Sequence, residues 1–144
     1  MHCFFTSLVL LLSLPVAIHA ADCTPTPHRT TGTHYKPVTV EKTDIGQGVL
    51  VKGQVLSAPD CKPVPGAKVA HWQAGEEGQY VDRLRTYLFT DENGYFKFNT
   101  EWPNMRTPHI HFIIEAKGHE LLETQWIGDE RTDKIEFDLI LQRQ

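Results

Sequence analysis

The sequence predicts an all-β protein, a single-domain β-sandwich of about seven to eight short strands preceded by an irregular N-terminal arm. Three observations predict it: short stretches alternate apolar and polar residues, turn-forming residues separate them regularly, and no stretch holds a period of 3.6. VLVKGQVLS (49–57) alternates as a half-buried strand, and PDCKPVPGA supplies the turn after it. AKVAHWQA (67–74) is the second strand, and GEEGQY (75–80) reads as a glycine-bounded loop. LRTYLFT (84–90) leads through the turn signal DENG into YFKFN (95–99). TEWPNMRTP is a proline-bracketed connection, and HIHFIIEA, LLETQWI and IEFDLILQ complete the set. Alternation places Val49, Val51, Val55, Val69, Phe96 and Phe98 on the inner face. The last strand sets Ile135, Phe137, Leu139 and Leu141 against Glu136, Asp138 and Ile140.

Ahead of the strands, residues 4–18 (FFTSLVLLLSLPVAI) form an uncharged apolar run that leads into small residues at Ala17, Ala20 and Ala21. Its length and position read as a secretory signal peptide, 1–20, rather than a membrane span. The expected export leaves a domain at 21–144, divided into an arm (21–47) and a core (48–144), in a periplasmic or extracellular setting. Two cysteines then remain, Cys23 and Cys61, and an even count in an exported chain suggests one disulfide. The alternative is two unrelated thiols.

The 144 residues are 40% hydrophobic and 22% charged, with a net charge of −4. This excludes collagen and a multi-span membrane protein, and it lacks the basic face that marks a nucleic-acid partner. No membrane association is expected once the leader is removed.

The chemistry concentrates in Arg106-Thr107-Pro108-His109-Ile110-His111-Phe112. Residues i and i+2 of a strand share a face, so His109 and His111 are placed to chelate one metal or to line one cleft. Taken with Gly53 to Ala74 (G-x-V…PVPGA-x-V-x-x-W-x-A), Gly78-Gln79-Tyr80, Thr90 to Phe98 (T-D-x-x-G-x-F/Y-x-F) and Thr124-Gln125, the chain resembles the intradiol ring-cleavage dioxygenases. Those are non-haem iron(III) enzymes that open catechols between the two hydroxyls. The arm, with Cys23-Thr24-Pro25 and Gly32-Thr33-His34-Tyr35, and Cys61 just before PVPGA, is similar to that of short exported members.

The resemblance implies a ferric ion (Fe3+) held by Tyr80, His109 and His111, with Arg106 stabilising charge on the substrate and Gln125 behind the site. Tyr35 is a candidate for the substrate pocket or, equally, for packing of the arm. The family's second tyrosine ligand is absent, because Pro103-Asn104-Met105 replaces a longer connection that carries it. Phenolates are hard anionic donors that favour Fe(III), so this loss bears on the metal. Tyr87, seven residues after Tyr80, is the nearest candidate for a fourth ligand; Glu76, Glu77, Asp82 and Glu101 offer carboxylates instead. Arg85, Tyr87 and Phe89 share one face of their strand, but sequence does not say whether that face meets the metal.

The resemblance further implies ring opening of a catechol-type small molecule with O2, and self-association into a homo-oligomer, which the family often shows. The alternatives are a sandwich that kept iron or ligand binding but lost ring cleavage, and a transthyretin-like binding module, where the same turn and strand motifs recur. His71 reads as structural, and His28, His34 and His119 as surface residues.

Overall fold

The computed structural model describes residues 23–144; the leader expected at 1–20 lies outside them. Nine strands follow in order: β1 (Val49–Ser57), β2 (Lys62–Pro63), β3 (Lys68–Ala74), β4 (Tyr80–Phe89), β5 (Tyr95–Thr100), β6 (His109–Glu115), β7 (Leu122–Ile127), β8 (Lys134–Glu136) and β9 (Leu139–Leu141). They form two sheets. In one, β1 lies between β2 and β5 and also pairs in parallel with β8 and β9; the other runs β4-β3-β6-β7, all antiparallel.

The period-2 pattern packs the sheets face to face. Val51, Val55, Phe96, Phe98, Ile135 and Leu139 meet Val69, Leu84, Ile110, Phe112 and Ile114 in one apolar layer. The expected inner-face residues are all buried. His71 lies inside this layer, its ring stacked 3.7 Å from that of Phe98 and its Nε2 sharing a hydrogen bond of 3.1 Å with Thr86 Oγ1. It is a core residue, as the sequence indicates.

Two elements depart from the sequence reading. The segment 135–142 is two strands, because Gln54 N–H donates to the side-chain Oδ1 of Asp138 (2.9 Å) where a backbone carbonyl would continue the ladder. Both strands keep one register on β1, and the Phe137 carbonyl presses against Gly53, where a Cβ would meet that oxygen at 2.0 Å. The second departure is that β4 begins at Tyr80, four residues before the expected strand, so Tyr80 belongs to a sheet and not to a loop.

The arm is pinned along its length, beyond its Cys23–Cys61 disulfide. Thr26 N–H donates to Ile140 O (2.9 Å), and Arg29 N–H to Glu123 O (2.8 Å). Thr124 Oγ1 donates to Pro27 O (2.9 Å), and Tyr87 N–H to Val40 O (2.9 Å). The arm thereby crosses the four-stranded sheet from β7 to β4, over the face turned away from the core, before Ile45 N–H reaches Asn99 O (3.0 Å) on β5.

Two stability effects follow. Replacing Cys23 and Cys61 by Ser opens a loop of 38 residues. In the chain-entropy model this costs about 3–4 kcal/mol, to be read as a lower denaturant midpoint against the oxidised protein. Burial holds His71 neutral, with its pKa lowered from 6.5 to about 3. The unfolded chain takes up that proton first, so stability falls as pH drops below 6.5 toward about 3. His71→Gln, which keeps a partner for Thr86, is expected to lose about 2 kcal/mol less than the unsubstituted protein between pH 7 and about pH 5 in paired denaturant titrations.

Candidate metal centre

On the outer face of the four-stranded sheet, β3 separates β4, which carries Tyr80, from β6, which carries the histidines. Trp72 pairs with Arg85 and Ala74 with Tyr80, so a single β3 residue, Gln73, faces the four β4 residues 81–84. This bulge returns Tyr80 and Arg85 to the same face, although five positions apart in a regular strand would oppose them. The β3 residue in the row of Tyr80 is Ala74, whose methyl leaves room for the phenol to lie across it.

Tyr80 Oη lies 2.8 Å from His109 Nε2 and 3.0 Å from His111 Nε2. The Nδ1 of His109 donates to Thr107 O at 2.8 Å, which turns the Nε2 lone pair toward the phenol. His111 is 5% exposed and stacks on Trp72, ring centroids 4.9 Å apart and planes within 8°. Its pKa falls from 6.5 to about 4, chiefly through burial and then through the nearby charges of His109, His34 and Arg85. Burial pushes the Tyr80 phenol up, opposed in part by the charge of Arg85. The Nδ1 of His111 is buried without a hydrogen-bond partner.

Three donors, two imidazole nitrogens and a phenol oxygen, therefore converge on one point. This set fits iron: a cation replacing the phenol proton meets all three lone pairs, and an Nε2-bound His111 carries its proton on the orphaned Nδ1. Among the described residues, no group of three His, Cys, Asp or Glu is placed to hold a metal, and the oxygen that approaches both imidazoles is that of Tyr80. The carboxylates considered above lie elsewhere. Glu76 pairs with Arg131, Asp82 with Lys36 and Glu101 with Arg83, while Glu77 is exposed. Tyr87 is on the same outer face, two rungs along, with its ring against Phe89 and the Lys68 ammonium; among the described residues it makes no contact with the donor cluster.

The remaining candidates form the surroundings. Gln125 stands opposite His111 and donates through Nε2 to Thr30 O in the arm (2.7 Å). Tyr35 sets its ring edge on Trp72, centroids 5.5 Å apart, while 47% of it is exposed. Arg106 is exposed, three residues before His109. Two residues escaped the sequence reading. His34, read as a surface residue, is exposed but stacks flat on Tyr80 (4.3 Å, 9°). Arg85 is buried, with Nη1 donating to His34 O at 2.6 Å. The arm thus roofs the cluster. A groove of about 880 Å³ lies elsewhere, beside β1 and β5, lined by Leu50, Lys52, Phe89, Tyr95 and Asn99.

A family model described as "Dioxygenase" matches residues 24–105, more than half of the chain. The match ends before His109 and His111. The catechol 1,2-dioxygenase of Acinetobacter baylyi is 29% identical over 111 residues, covering 56% of this chain and 35% of that enzyme. The chain spans about a third of the length of this curated relative. Among solved structures, the dioxygenase domain of a dioxygenase and carbohydrate-binding protein fusion from Streptomyces sp. SirexAA-E superposes with a TM-score of 0.74 at 26% identity, covering 84% of this chain and 100% of that one. An intradiol ring-cleavage dioxygenase from Tetranychus urticae gives a TM-score of 0.67 at 30% identity, covering 75% of this chain and 66% of that one. With its two-sheet sandwich and a tyrosine meeting a strand-borne histidine pair, the chain belongs to the intradiol ring-cleavage dioxygenase family.

Proposed function

We propose that this protein is a non-haem iron intradiol dioxygenase, which opens a catechol-type ring between its two hydroxyls with O2. The observation that carries the reading is the approach of Tyr80 Oη to both Nε2 atoms, at 2.8 and 3.0 Å. Tyr80, His109 and His111 would hold the metal. Bound iron(III) supplies the Lewis acidity that draws electron density from a catechol dianion, so that the ring itself becomes reactive toward O2.

The chain's own groups prepare that chemistry. Thr107 O fixes the tautomer of His109, and the indole of Trp72 fixes the plane of His111. Tyr80 gives up its proton on loading and thereafter presents an anionic oxygen. The arm covers part of the cluster, which raises the worth of each charge beneath it. Substrate would pass His34 and Tyr35, with Gln125 behind His111 and Arg106 taking the role of meeting its charge. Export, with the leader at 1–20, agrees with the disulfide, which persists in oxidising compartments. No helix among the described residues is long and apolar enough to cross a membrane.

A second reading is an iron- or catechol-binding sandwich without turnover. It is favoured by the short connection Pro103-Asn104-Met105, which lacks the family's second tyrosine ligand. Aerobic incubation of the iron-loaded protein with catechol, followed by chromatography for a muconate-type dicarboxylic acid, separates the two. Product with both oxygen atoms from labelled O2 supports the enzyme; iron and catechol bound without product supports the binder.

Each of His109→Ala and His111→Ala is expected to lower iron affinity by about a hundredfold or more, since each removes one of three donors. The double variant should retain no stoichiometric iron by elemental analysis, and retention would place the metal elsewhere. Because burial keeps the Tyr80 phenol protonated, loading releases that proton. Iron affinity should therefore rise with pH, by about tenfold per unit above neutrality, in competition with a chelator of known pH dependence. Tyr80→Phe should flatten this slope and abolish the tyrosinate-to-iron charge-transfer band.

A further inference from the structure

Arg85 carries a charge that its immediate partners leave uncompensated. The residue is 6% exposed. Nη1 donates to the neutral His34 carbonyl at 2.6 Å. Nε stands 3.4 Å from Asp82 Oδ1, yet is buried with no acceptor in hydrogen-bond geometry. Asp82 is a weak neutraliser: its side chain is 79% exposed, and the same oxygen takes the Lys36 ammonium at 3.1 Å. A guanidinium withdrawn from water on these terms is costly unless an anion joins it.

The geometry offers an anion on the side of the donor cluster. Arg85 Cζ is 5.8 Å from the centroid of the Tyr80 ring. In the sheet register Arg85 stands opposite Trp72, and Trp72 opposite His111, so the guanidinium and the imidazole occupy one cross-strand row. Arg106, exposed and three residues before β6, makes no ion pair or side-chain hydrogen bond among the described residues.

We propose that Arg85 is a substrate-binding residue, the buried countercharge that holds the anionic oxygen of a catechol-type ligand beside Tyr80. The inference rests on the metal reading above and adds to it a residue outside the R-x-P-H-I-H stretch. It also ties the roof to the ligand: the guanidinium that meets the anion is the one that now fastens the arm at His34 O.

The test uses full-length protein loaded with Zn(II), which supports no oxidative turnover, titrated with 4-nitrocatechol, whose dianion and monoanion differ in colour. Arg85→Met removes the charge at similar length, and Arg85→Lys keeps the charge without the fork. Arg85→Met is expected to bind the probe about tenfold or more weakly, with the bound spectrum moved from dianion toward monoanion at fixed pH. Arg85→Lys is expected to recover the dianion spectrum and most of the affinity. If Arg85→Met does not fold by circular dichroism, Arg85→Gln provides the uncharged comparison. Wild-type behaviour in the uncharged variant would overturn the proposal. So would equal loss in both variants with the spectrum of the bound probe unchanged, which would leave Arg85 as a fastener of the arm alone. Zinc stoichiometry keeps the two levels apart. An unsubstituted protein that binds neither zinc nor iron would end the metal reading, whereas a loaded protein indifferent to Arg85 would end only this inference.

Discussion

A phenol on β4 and two imidazoles on β6 can meet only across the strand between them. Adjacent strands lie about 4.8 Å apart, so the donors start on backbones about 10 Å from one another. The contact at 2.8 and 3.0 Å therefore depends on what β3 places in the gap. Ala74 leaves the path of the Tyr80 ring open, and Trp72, one rung along, forms the wall against which His111 stacks. The bulge that sets residues 81–84 against Gln73 then fixes where along the strand Tyr80 stands. The convergence of the donors, the burial of Arg85 and the seating of the arm all follow from this local break in pairing.

The arm is as much a part of the centre as the strands. Its carbonyls at Thr30 and His34 accept from Gln125 and Arg85, and its rings at His34 and Tyr35 lie on Tyr80 and Trp72. Without that cover the outer face of the sheet would be wet, and burial would no longer hold His111 neutral to about pH 4. The disulfide fixes one end of the arm at Pro59–Cys61, and the backbone bonds to Tyr87 and Asn99 fix the other.

Most of the sandwich was legible because alternation is a local signal: Val49, Val51, Phe96 and Phe98 could be assigned to the core from their neighbours alone. The histidine pair was legible for the same reason, since i and i+2 share a face whatever the tertiary context. Strict alternation also hid the rest of the site. It sends residues 80 and 85 to opposite faces, and only a bulge, which leaves no local signature here, brings Arg85 to Tyr80. His34 was read as a surface residue because nothing in Gly32-Thr33-His34-Tyr35 reveals which face the arm crosses. The division of 135–142 into β8 and β9 escaped because it depends on one side chain, Asp138, standing in for a carbonyl. For Tyr87 the residues sharing its face were legible, but which way that face turned and how far it stood from the histidines came only with the register.

The parallel pairing of β8 and β9 with β1 has a bearing on how the molecule is made. The sheet that carries the donors spans residues 68–127 and is joined throughout by antiparallel neighbours, so its pairings close comparatively short stretches of chain. The other sheet is complete only when residues 134–141 return to a strand begun at Val49, more than eighty positions earlier. Contacts of such separation form slowly, because the chain loses the entropy of the whole loop before the pairing compensates. During synthesis β1 therefore emerges well before β8 and β9, and the edge that they later cover stays unpaired until then. The donor-bearing sheet can assemble in that interval, which would leave the closing of the sandwich to the end.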